Sequence, residues 1–180
     1  MRKNINMQCS KYFTYSELIE CSDTFKKVSV KNIPINNKTY DAMEYIGREI
    51  LDKVETEFGG LKLTYGFCGA ELAKEIPKNI YPRTDQHAGF ETNKNGKRLC
   101  ERDGFACDFY LENISSLSLA RWVIKNCKFD RLYYYGADKP IHVSVSDKPT
   151  RQIVLMKFKN IRRVPQKISE SKFLNEELDF

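Results

Sequence analysis

The chain has little of what usually betrays a metal or redox site. Its 180 residues include only two histidines, His87 and His142, and no two of its six cysteines are spaced C-x-x-C. That argues against a thiolate zinc ribbon and against a thioredoxin-like motif. No apolar run approaches the roughly 20 residues that cross a bilayer, so no membrane partner is expected. The opening residues, MRKNINMQCS, lack the apolar stretch of a secretory signal, and a cytoplasmic location with reduced thiols is the expectation. Internal repeats and low-complexity tracts are also missing.

What is present reads as one ordinary globular domain. Hydrophobic residues make up 41% and charged residues 30%, and a chain of this length buries a core without staples. The formal charge of +6 permits an anionic partner but does not demand one. Thr14 stands three residues before Glu17, a capping-box spacing that predicts a short helix in YFTYSELIEC. From Tyr40 to Phe58, apolar residues at Ala42, Met43, Ile46, Ile50, Leu51 and Val54 follow a helical period and stop at Gly59-Gly60. LKLTYGF alternates as a strand, and GAELAKEI is a short helix ended by Pro77.

Residues 77–103 are polar and rich in Pro, Gly, Asn and Arg; a loop of that length in a compact domain is more often functional than accidental. GFACDFYLEN follows as a strand, then SSLSLARWVIKNC as a capped helix. FDRLYYYG and IHVSVS read as two strands joined by ADKP, RQIVLMKF as another, and residues 161–180 as a charged, weakly docked tail. This order favours α+β, with a small, mostly antiparallel sheet packed by helices, over a doubly wound sheet.

One residue does not fit its strand. In GFACDF, Phe105, Cys107 and Phe109 alternate with Ala106, Asp108 and Tyr110, and a carboxylate there needs a partner because an unpaired buried charge is costly. His87 in TDQHAGFE and His142 in KPIHVSV are the natural candidates. Two imidazoles, one carboxylate and an open position form a normal catalytic zinc set, and also the set of non-haem iron oxygenases. Cys100 and Cys107, close to Asp108, read as buried small hydrophobes.

The wording of the chain resembles the M15 peptidases, the zinc D-Ala-D-Ala carboxypeptidase and L,D-endopeptidase family that shares its fold with the Hedgehog N-terminal domain. That family runs from an N-terminal "skhF..sEl" segment through a long helix to a strand ending near "GyRs". S-x-H-x-x-G-x-A-x-D and a late strand histidine follow. CSKYFTYSEL, EILDKVETEFGGLKLTYGFCGAEL, DQHAGF, GFACDF and FDRLYYYGADKPIHVSV match in that order, in patches over residues 9–145. The resemblance implies a metallohydrolase domain over residues 1–160, a Hedgehog/DD-peptidase-like fold, Zn2+ held by His87, Asp108 and His142, and cleavage of an amide bond in a peptidoglycan-type peptide.

Three positions depart from the pattern. The family's first histidine precedes its aspartate by seven residues; that spacing falls on Glu101, so either an insertion moves the ligand back to His87, the preferred reading, or Glu101 replaces it. The family's general base, three residues before the last histidine, falls on Lys139; Asp138 or Glu91 then stands as the catalytic proton shuttle. The substrate-binding arginine falls on Cys68, leaving Arg83 or Arg151 for an anionic group. Two other functions follow from these departures. One is the same metal fold acting on a nucleotide or nucleic acid through Arg83, Lys97, Arg98, Arg102 and Arg151, in a phage-defence or counter-defence role. The other is an inactive binding module, favoured by Lys139.

Overall fold

A computed structural model describes residues 3–76, 84–160 and 162–178. They form a single mixed α/β domain around one open, six-stranded sheet of order β1-β2-β4-β3-β5-β6. The strands are β1 (Lys62–Tyr65), β2 (Phe105–Tyr110), β3 (Arg131–Tyr134), β4 (Ile141–Val145), β5 (Gln152–Lys159) and β6 (Arg162–Ile168). Every neighbouring pair is antiparallel except β3 with β5. Among the described residues no helix is long and apolar enough to cross a membrane.

Helices cover one face of the sheet. Alternate strand residues, Phe105, Cys107 and Phe109 on β2, Ile141, Val143 and Val145 on β4, and Ile153 and Leu155 on β5, belong to one buried cluster. A strand presents successive side chains to opposite faces, so the residues between them must point the other way. The cluster is closed by α1 (Tyr15–Glu20), the long helical segment and α6 (Ser116–Asn126). α1 has the capping box that Thr14 and Glu17 predict. The long segment runs as α3 (Asn37–Ile46), a π-helical turn (Gly47–Leu51) and α4 (Asp52–Phe58), ending at Gly59 with φ +66°. Short helices α2 (Asp23–Lys27) and α5 (Ala70–Glu75) pack against each other beside β1.

The C-terminal segment differs from the expected tail. Residues 162–168 are the edge strand, and α7 (Glu170–Asn175) follows it. Phe173 is fully buried against the edge of Tyr134, with ring centroids 5.7 Å apart. Arg121 of α6 donates to the carbonyls of Phe173 and Glu176 at 3.2 and 2.9 Å. Charge density misled the sequence reading because apolar residues among the charges, Ile168, Phe173, Leu174 and Leu178, pack against the core. Phe173→Ala is therefore expected to destabilise the protein by about 3 kcal/mol in urea denaturation. A loss under ~1 kcal/mol would show the helix undocked in solution.

Candidate metal centre

The open face of the sheet is where Asp108 points. Antiparallel pairing sets Asp108 of β2 directly opposite His142 of β4, and the same alternation that buries Ile141 and Val143 turns His142 outward from the core. Directly opposed residues have Cβ atoms about 5 Å apart, and here His142 Nδ1 lies 2.9 Å from Asp108 Oδ1. Tyr133 of β3 is next in the row, and its ring meets His142 edge-on at 5.0 Å.

His87 arrives from the long loop, on a one-turn 3-10 helix (Gln86–Ala88). The Asp85 carboxylate caps that turn, accepting from the His87 backbone N–H at 3.0 Å. Gln86 donates to the Asp103 carbonyl at 2.7 Å and to the buried Asp130 carboxylate at 3.0 Å. The His87 carbonyl accepts from Cys68 N–H at 3.0 Å. So tethered, the imidazole is 4% exposed and packs edge-on against Tyr65 at 4.4 Å. Its Nε2 lies 3.1 Å from His142 Nδ1 and 3.2 Å from Asp108 Oδ1.

Its other nitrogen decides the chemistry. His87 Nδ1 donates to the Gly66 carbonyl at 2.8 Å. A carbonyl only accepts, so the Nδ1 carries the proton and a neutral ring offers its Nε2 lone pair to the site. Gly66 itself is constrained: a Cβ there would stand 2.0 Å from the Leu18 carbonyl oxygen. Burial opposes charging His87, but Asp108 and Asp85 outweigh it and raise its pKa above the ordinary value. Burial likewise penalises the Asp108 carboxylate, yet the two imidazoles hold its pKa well below the usual range.

Three polar atoms separated by 2.9–3.2 Å form a triangle that a shared proton or a metal ion can fill. Tetrahedral ligands about 2.0–2.1 Å from an ion sit roughly 3.3 Å from one another, so the triangle is close to the size an ion requires. His87, Asp108 and His142 can together hold a metal ion, and the donor chemistry suits a borderline divalent ion. The triad opens into a cleft of about 400 Å³ whose walls include Tyr65, Asp85, Arg102, Tyr133, Tyr135 and Met156.

The other expected site residues lie elsewhere or beyond view. Glu91 is buried at the N-terminus of α3, where its carboxylate accepts from Ile35 N–H, Asn36 N–H and the Thr39 hydroxyl at 2.8–3.1 Å. It acts as a helix cap and does not line the cleft. Asp138 stands exposed in the β3–β4 turn, paired with Lys139 at 2.9 Å. Arg151 donates to the Ile124 and Cys127 carbonyls that end α6, and to Glu170. Arg83 lies outside the described residues, and Glu101 is not among the converging donors. Cys100 and Cys107 are fully buried.

Asp85, Tyr65 and Tyr133 are cleft residues that the sequence reading missed, and Arg102 is one that it offered only to a nucleotide or nucleic acid. Their common signal is position: each sits next to, or strand-paired with, a residue already singled out. Arg102 donates from one nitrogen to the Thr84 carbonyl and the Tyr133 hydroxyl at 3.0 and 3.2 Å. No family model, curated protein or solved structure matches the chain.

Two outcomes test the centre. His87→Ala, Asp108→Ala and His142→Ala are each expected to abolish stoichiometric metal uptake, read by elemental mass spectrometry after dialysis; full occupancy in any of them would remove that residue from the set. In metal-free protein the charged His87 contributes stability that is complete below pH 6.5 and is lost as pH rises through the raised folded value. The metal-free Tm is therefore expected to fall above that pH. The Tm increment from added zinc should grow over the same interval, because coordination takes the neutral ring. Calorimetry at constant ionic strength checks both trends.

Proposed function

We propose that the chain is a zinc-dependent hydrolase with a Hedgehog/DD-peptidase-like fold, resembling the M15 peptidases and cleaving an amide bond in a peptidoglycan-type peptide. One observation carries the reading: His87 Nε2, Asp108 Oδ1 and His142 Nδ1 converge within 3.2 Å at the floor of an open cleft. When bound there, zinc supplies Lewis acidity and a water of lowered pKa.

The remaining roles belong to the protein's own side chains. Gly66 and Asp85 orient His87, and the Tyr65 and Tyr133 rings flank the two imidazoles and limit their rotation. Among the described residues Asp85 is the only carboxylate besides Asp108 that lines the cleft. It takes the place held in the sequence reading by Asp138 and Glu91 as proton acceptor from the attacking water. Arg102, fixed by Thr84 and Tyr133, faces the cleft as the cation for an anionic group of the substrate, in place of Arg83 or Arg151.

The test joins metal content to turnover. Purified protein is expected to carry near one zinc per chain and to cleave synthetic cell-wall peptides. Asp85→Asn should lower kcat by about 10²-fold or more with metal content unchanged. A protein that takes up no metal, or that holds zinc but cleaves no such peptide, would defeat this assignment.

A further inference from the structure

Arg98, Arg102 and Arg151, three of the cations that the sequence reading offered to a nucleic acid, are engaged inside the protein. Arg98 is bonded to Asp103 and to the Gly89 and Arg102 carbonyls and stacks on Phe90 at 4.7 Å. Arg102 holds Thr84 and Tyr133, and Arg151 closes α6. Arg98 and Arg151 fasten chain segments, and Arg102 is committed to the cleft.

The excess charge lies on the β5–β6 hairpin. Between Asp147 and Glu170 the chain has 22 residues with no acid and seven lysines and arginines. Five of these, Lys157, Lys159, Arg162, Arg163 and Lys167, are on the hairpin strands. The rest of the chain is close to neutral, with 25 Lys and Arg against 24 Asp and Glu. The protein's net charge of +6 is therefore almost wholly a property of one edge.

Pairing connects that edge to the cleft. Asp108, His142, Tyr133, Val154 and Lys167 are consecutive partners across β2, β4, β3, β5 and β6, so they form one row on one face. Further along the same face, Met156 pairs with Pro165 and Phe158 with Arg163. At about 3.3 Å per residue, Phe158 stands roughly 7 Å beyond Met156, which itself lines the cleft.

Arg163 locks the joint. It donates to the Tyr135 and Met156 carbonyls at 2.8 and 2.9 Å, and its guanidinium lies 4.4 Å from the Phe158 ring centroid. Phe158 is nonetheless 61% exposed, and Val164 beside it 42%. Among the described residues Lys157, Lys159, Arg162 and Lys167 make no side-chain hydrogen bond or ion pair.

Lysines on an edge strand also discourage sheet-to-sheet aggregation. That role calls for charge, and an exposed phenyl ring on the same ridge works against it. Alternation turns Phe158, Arg163 and Lys167 to the open face and Lys157, Lys159 and Arg162 to the reverse face. A chain crossing the hairpin edge therefore meets unpaired cations on one side and an accessible ring on the other. Phosphates on cations with a base on a ring are the chemistry of single-strand recognition.

We propose that the β5–β6 hairpin is a docking ridge for single-stranded nucleic acid. Phosphates contact Lys157, Lys159 and Arg162 where the strand crosses the reverse face and tip of the hairpin, and Lys167 on the open face. A base stacks on Phe158, and from there the strand leads toward the cleft. This goes beyond the hydrolase reading and does not rest on it, since the ridge binds whether or not the metal site is filled.

Fluorescence anisotropy of a labelled 15-nucleotide single strand, titrated with the full chain at several salt concentrations, tests the ridge. Wild type is expected to bind, with log affinity falling against log salt at a slope of about −2 to −3, as three or four phosphate contacts on a single strand require. Phe158→Ala should weaken binding roughly tenfold with the slope kept. The triple variant Lys157→Gln, Lys159→Gln, Arg162→Gln should weaken it further and flatten the slope. Chelator treatment should change neither value, which separates this result from any failure of the hydrolase reading. An unchanged Tm in both variants is the folding control, expected because these positions lie at the hairpin tip. No binding by wild type, wild-type affinity in the triple variant, or indifference to loss of Phe158 would each overturn the proposal. So would equal affinity for a duplex, which offers no free base to stack.

Discussion

The pairing of β2 with β4 in the register Asp108 opposite His142 is the constraint on which the molecule turns. Side-chain direction along a strand has a period of two, so a slip of one residue would put a carboxylate and an imidazole into the apolar cluster and two phenyl rings into solvent. Burial of Phe105, Phe109, Ile141 and Val143 thus enforces the geometry of the candidate metal donors on the opposite face. Stability and site are two faces of one ladder. Gly104 protects the register at its end: it takes φ +103°, and a Cβ there would stand 1.7 Å from the Val145 carbonyl oxygen.

The third donor is held by a different kind of force. His87 lies in a loop with little apolar surface, and polar bonds to distant elements fix it. Gln86 reaches Asp130, whose carboxylate also accepts from the Thr150 backbone N–H and hydroxyl at 2.8 Å. Gly66, Cys68 and Asp103 hold the same short turn. Buried polar groups are costly unless satisfied, and a network in which each is satisfied rigidifies its members. That is how a 3-10 turn that belongs to no strand or longer helix can present one nitrogen to within 3.2 Å of two others.

Charge is divided between two tasks in the same chain. Buried or half-buried arginines such as Arg98, Arg102 and Arg151 satisfy carbonyls at loop and helix ends, the work for which a fixed fork of donors is suited. On the hairpin Arg163 does the same for Tyr135 and Met156, whereas among the described residues Lys157, Lys159, Arg162 and Lys167 have no such partners. Net charge alone does not distinguish these uses; only the positions of the neighbouring acceptors do.

Local chemistry in the sequence determined the elements. The Thr14–Glu17 box, the helical run ending at Gly59, and the alternation that isolates Asp108 among phenylalanines all depend on residues within one or two turns of each other. The residue types of the donor set were legible too, because the chain has so few histidines to choose from. Tertiary structure alone decided what those elements meet. Glu91 reads as a loop carboxylate until α3, more than fifty residues earlier, is placed beneath it and turns it into a cap. Asp85 is an unremarked turn residue until the cleft opens beside it, and the charged C-terminal segment gains its strand only when β5 supplies the partner. Periodicity fixes which way a side chain points relative to its neighbours, whereas its partner is set by contacts between residues far apart in the chain, which no local pattern encodes.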